Sequence, residues 1–96
     1  MTDVMQRLQT WYASMCDGDW EHGYGVRIET IDNPGWSVRI DLQDTGLNFD
    51  DFVAVHIDRS DEDWVVCEIK AGVYEGHGGA NNLVEIVEIF LRWAQR

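Results

Sequence analysis

The sequence predicts an α+β domain: an N-terminal helix, a four- to five-stranded antiparallel sheet in meander order, and a C-terminal helix, with both helices packed on one sheet face. Three observations predict it. Apolar residues recur at helical spacing near both ends of the chain, they alternate with polar residues through the middle, and clusters of Gly, Asp and Asn mark each change of period. At 96 residues the chain has room for one domain, spanning 1–96, since two would each bury too little apolar surface to be stable. Hydrophobic residues make up 45% of it and include five Trp, three Tyr and three Phe, enough large side chains for a core and too many for a disordered chain.

From Val4, the apolar positions Met5, Leu8, Trp11, Tyr12 and Met15 form the stripe of an amphipathic helix. Thr2 is its expected cap, Asp3 adds a carboxylate where the helix dipole favours one, and Asp17-Gly18 stops it near Cys16. After a loop over 17–23 the period falls to two. Tyr24, Val26 and Ile28 alternate with Gly25, Arg27 and Glu29, which predicts a half-buried strand. Asp32, Asn33, Pro34 and Gly35 make a turn, proline fixing its φ and glycine free to take a positive one. A second strand follows, with Trp36, Val38, Ile40 and Leu42 on one face. Residues 43–51 are polar and read as a longer loop, 52–59 resume alternation as a third strand, and 60–63 form a charged turn. A fourth strand is expected over 64–70 and a short fifth around Val73 and Tyr74. Gly76, His77, Gly78 and Gly79 are expected to break regular structure. Asn82 with Glu85 three residues on resembles a capping box, opening a helix whose stripe is Leu83, Ile86, Val87, Phe90, Trp93 and Ala94, with Arg92 and Arg96 suited to its C-terminal end.

Eighteen acidic against seven basic residues leave a formal charge of −11. Such a field repels nucleic acid and anionic membranes, and it attracts a basic protein. The acids recur in turns, at 17–21, 50–51 and 61–63, where a partner can reach them. The longest apolar runs are far too short to span a membrane. The opening residues lack the apolar run of a secretory leader, so a cytoplasmic location is expected. In that compartment Cys16 and Cys67 are expected as reduced, small apolar residues, although parity allows one disulfide.

Cys-Asp-Gly-Asp-Trp-Glu-His at 16–22 crowds carboxylates, an imidazole and an indole into one loop. It begins like a calcium-binding loop, but His22 replaces the sixth-position glycine and Ile28 the twelfth-position glutamate. It also lacks the paired Cys or His spacing of a zinc site, so neither metal nor cofactor is expected. Asp19, Glu21 and His22 could act as an acid/base set in a small hydrolase or transferase. Alternatively, Asp17 and Asp19 bond loop amides, Trp20 enters the core and His22 bonds a strand end. Glycine-flanked His77 has no Gly-x-Ser-x-Gly nucleophile to serve. Gly23-Tyr24-Gly25 lacks the third glycine of a dinucleotide fingerprint, and His56 belongs to the polar face of the third strand.

Trp11-Tyr12, the 16–22 string, Tyr24-Gly25, Ile28-Glu29-Thr30, Asp-Asn-Pro-Gly-Trp at 32–36, Gly78-Gly79 and Asn81-Asn82-Leu83 together resemble the immunity protein 53 family. Its members are encoded beside toxins in bacterial polymorphic toxin systems. The resemblance covers nearly the whole chain, and it implies a non-enzymatic protein that binds and neutralises a cognate toxin. Charge favours a basic toxin such as a nuclease domain, whose phosphate-binding groove an acidic surface would fill. The candidate contacts are Asp17, Asp19, Glu21 and His22 in the first loop and Asp61, Glu62 and Asp63 in the later turn, with Trp20 and Trp36 as anchors. The expected state is a monomer or a weak homodimer joined through an exposed last strand.

Overall fold

The computed structural model describes residues 3–95. Asp3 caps α1 (Val4–Met15) by accepting the Gln6 N–H at 2.8 Å. Thr2, the expected cap, and Arg96 lie outside the described residues. Helix α1 ends where predicted, with Gly18 at a positive φ of 97°. The 17–23 loop then holds one unforeseen helical turn, α2 (Trp20–Gly23).

Strands β1 (Val26–Ile31), β2 (Gly35–Asp41), β3 (Val55–Ser60), β4 (Asp63–Lys70) and β5 (Val73–Gly79) follow, then α3 (Leu83–Ala94). A 3-10 turn, Phe49–Asp51, sits between β2 and β3. All neighbouring strands are antiparallel, as expected, but their order is β1-β2-β5-β4-β3. This corrects the meander: the chain leaves β2, crosses to the far edge, and returns through β4 to insert β5 in the middle. The last strand is therefore central, and the free edges belong to β1 and β3.

The glycine run at 76–79 does not break regular structure; it lies inside β5. Its glycines serve close approach. A Cβ on Gly76 would collide with the Ile86 Cγ2 of α3, and one on Gly78 would come within 3.0 Å of Ile86 Cδ1. Gly35, expected at a turn with positive φ, is instead in β2, where a Cβ would strike the Gly78 carbonyl. Asn82 is the N-cap of α3 but makes no side-chain cap bond. Rather than closing a capping box, its amide donates to Asp63 at 2.9 Å and to Glu85 at 3.1 Å.

Helix α3 lies on the sheet over β5, β4 and β2, and α1 packs beside it. Between them are Val38, Ile40, Leu42, Val65, Cys67 and Tyr74 from the sheet and its flank, and Ile86, Val87, Phe90, Leu91 and Trp93 from α3, with Leu8, Trp11 and Trp20 closing one end. Trp11 meets Phe90 edge to face at 4.8 Å. Fully burying an aliphatic side chain of this kind contributes about 1.5–3 kcal/mol. The Tyr74 hydroxyl is buried yet satisfied, donating to the Ile86 carbonyl at 2.7 Å. Cys16 and Cys67 are free, Cys67 within the core. The other sheet face carries Arg27, Glu29, Arg39, Glu68, Glu75, His56 and His77, as the alternation requires. Among the described residues no helix is long and apolar enough to cross a membrane.

Candidate functional site

The first loop is built by its own carboxylates. Asp17 accepts the Asp19 and Trp20 N–H groups at 3.0 Å each, and Glu21 accepts those of Asp17 and Gly18, both at 2.9 Å. Two short acidic side chains thereby satisfy four amides that a tight turn leaves without ladder partners. These bonds favour the ionised forms: the Trp20 amide first, then that of Asp19, hold Asp17 below the ordinary aspartate range. Glu21 is lowered too, chiefly by its own amide.

Trp20 is the pin beneath this loop. It is 4% exposed, donates its indole N–H to the Gln43 carbonyl at 2.8 Å, and meets Trp11 at 6.0 Å. It is a core residue, not an exposed anchor. The pin brings the loop over the connection that leaves β2. There Asp41 accepts the Gly25 N–H at 2.9 Å, and Asp44 stands in the following turn at a positive φ of 61°. Asp50 and Asp51 are on the 3-10 turn whose Phe49 packs near Gly72. Carboxylates from 17–21 and from 41–51 thus gather at one end of the sheet. Beside them an open cleft of about 280 Å³ is lined by Glu21, His22, Tyr24, Arg27 and Asp41 among others. Asp19 is exposed and does not line it.

Asp61, Glu62 and Asp63 are elsewhere. They join β3 to β4 beside Gly79, at the opposite end of the strands and about 20 Å away at ~3.3 Å per residue. Asp61 and Glu62 are exposed. Asp63 is engaged, taking Arg59 at 2.8 Å and the Asn82 amide at 2.9 Å. Trp36 is half-buried and tied to the Ala80 carbonyl at 2.8 Å.

The nine candidate residues therefore separate into two acidic ends. Asp41, Asp44 and Arg27 join the first end although sequence reasoning did not single them out. The available signal was the alternation that put Arg27 and Asp41 on polar positions next to turns. Two of the carboxylates at this end, Asp17 and Glu21, are engaged with loop amides, and among the described residues no group of three or more metal-binding side chains converges.

The family model described as Immunity protein 53 matches residues 5–95. No curated protein and no solved structure matches the chain.

Proposed function

The chain belongs to the immunity protein 53 family, and from that premise we propose that it binds and neutralises a cognate toxin of a bacterial polymorphic toxin system, in the cytoplasm, through the acid-rich end of its sheet. The observation that supports it is that carboxylates from two segments distant in sequence, 17–21 and 41–51, lie at the same end of the sheet, where Trp20 ties the first loop to the Gln43 carbonyl and Asp41 accepts the Gly25 N–H. Fixed charge of this kind needs no reorganisation on contact, and a net −11 steers a basic partner while repelling nucleic acid. A basic nuclease domain fits best, with Asp17, Asp19, Glu21 and His22 facing its phosphate-binding groove. Asp61, Glu62, Asp63 and Trp36 would form a second, lesser contact region.

The competing reading as a small hydrolase or transferase requires Asp19, Glu21 and His22 to converge. Asp19 lies outside the cleft, and the lowered carboxyl of Glu21 is a poor proton donor at neutral pH. The test is co-expression with the toxin encoded beside this gene, followed by binding of the purified pair. Growth is expected to be rescued, and the association rate to fall at least tenfold between about 0.05 and 0.5 M salt as the charges are screened. Rescue without a complex would instead favour an enzyme, and a salt-independent rate would sink the acidic-surface mechanism.

A further inference from the structure

The edge strand β1 carries features that the toxin-binding reading does not use. Its partner on one side is β2, with six consecutive register pairs and no bulge from Val26↔Ile40 to Ile31↔Gly35. Its other side is free, and Arg27, Ile28, Glu29 and Thr30 are all exposed. The opposite edge is protected differently, since β3 has a register shift between Asp58 and Ser60 that interrupts pairing.

The direction of each free backbone group follows from one bond. The Asp41 N–H donates to the Gly25 carbonyl at 3.1 Å, and hydrogen-bonded pairs alternate along an antiparallel ladder. Gly25, Arg27, Glu29 and Ile31 therefore turn their backbone groups toward β2, while Val26, Ile28 and Thr30 turn theirs outward. A strand added to this edge must bond to those three residues.

Two copies of β1 meeting antiparallel about a two-fold axis satisfy that rule when centred on any residue from 26 to 30, and the registers centred on 28 and 29 keep the most of Val26–Ile31 paired. Centring on Arg27 sets guanidinium against guanidinium, and centring on Glu29 sets carboxylate against carboxylate. Centring on Ile28 places Arg27 opposite Glu29 of the partner subunit, twice, in the closer non-hydrogen-bonded positions where side chains interact best. It also covers Ile28, a large apolar residue left 38% exposed. The charges needed are available. Among the described cations Arg7, Arg59, Lys70 and Arg92 each make a direct ion pair, whereas Arg27 and Arg39 make none; they face one another across the strands, Arg39 with Glu75 on its other side and Arg27 with the free edge on its own. Like charges in that relation are unfavourable, and a carboxylate on the free side of Arg27 relieves them.

We propose that a second copy of this chain pairs with β1 in the register centred on Ile28, joining two five-stranded sheets into one of ten strands. The interface is small, so the dimer is weak. Its charge arrangement makes it testable without any toxin. Sedimentation equilibrium is run at about 0.15 M salt, where repulsion between the two acidic copies is screened beyond ~8 Å, and at protein concentrations up to about 1 mM. The wild type is expected to show a concentration-dependent dimer. Arg27→Glu and Glu29→Arg each turn both attractive contacts into repulsive ones and should weaken the dimer about tenfold. The double exchange R27E/E29R restores the pairs with reversed sign and should recover most of the affinity. Melting curves for all four proteins confirm folding. A wild type that stays monomeric throughout, single variants that dimerise like the wild type, or a double variant that fails to recover would each overturn the proposal. So would a monomeric wild type whose toxin binding is lost in R27E, which would assign the edge to a strand of the toxin.

Discussion

Asp63 and Glu85 share one guanidinium. Arg59 donates to Asp63 at 2.8 Å and to both oxygens of Glu85, at 3.0 and 2.6 Å, while the Asn82 amide bonds each carboxylate as well. Asn82 first and then Arg59 lower the Asp63 carboxyl below 3.8, and Arg59 chiefly lowers Glu85 below 4.5. Depressed carboxylates stabilise the fold above their unfolded-state values, and that stability is lost as protons bind in the folded state. The network is therefore expected to contribute fully above about pH 5 and to fade below about pH 4. Urea melts as a function of pH check this: the acid-side loss of stability should be smaller in Arg59→Gln than in the wild type. The two carboxylates could be read as charged turn and helix-start residues, but their shared partner could not. Arg59 and Glu85 are 26 residues apart, and only the strand order brings them together. The same limit applies at Trp20. The loop that holds it stood out in the sequence, yet an indole has both an apolar ring and a polar N–H, and only the distant Gln43 carbonyl decides that it points inward.

At the scale of elements, β5 and α3 are fitted to one another. Gly76→Ala inserts a methyl where Ile86 Cγ2 already stands, and overpacking of this type costs about 1–3 kcal/mol. Ile86→Ala alone is expected to cost about 2–5 kcal/mol as a cavity. The pair combined should be less destabilising than the sum, by about 0.5 kcal/mol or more in a double-mutant cycle followed by urea unfolding. Additive effects would mean that helix and strand do not meet at this point. Both helices and four strands were legible from period alone, because their apolar faces are continuous. The fifth was only half legible: glycines at alternate positions supply no apolar side chain, so a strand made narrow for a helix resembles a loop. The meander failed for a related reason. Thirteen residues separate the end of β2 at Asp41 from the start of β3 at Val55, far more than a hairpin uses. That length was visible, but nothing local in it says to which edge the chain travels.

For the whole molecule, charge distribution matters more than its total. The two acidic ends make different predictions for toxin association. Neutralising Asp19, Asp44 and Asp50 to their amides changes the net charge from −11 by three, and it should slow association about tenfold if this end faces the partner. Asp61→Asn with Glu62→Gln should slow it only about twofold; stopped-flow mixing distinguishes the two, and the reverse ranking would move the interface to the β3–β4 turn. The strand order has a temporal consequence as well. The pairs β1–β2 and β3–β4 are each local hairpin-like neighbours, but they become one sheet only when β5 enters between them. That strand spans Val73–Gly79, and α3, which seals the core, comes later still. During translation at about 5–20 residues per second, a ribosome therefore carries two unjoined halves until nearly all of the described residues have left the exit tunnel. A prematurely terminated chain lacking β5 would be no weaker version of the protein; it would have no assembled sheet.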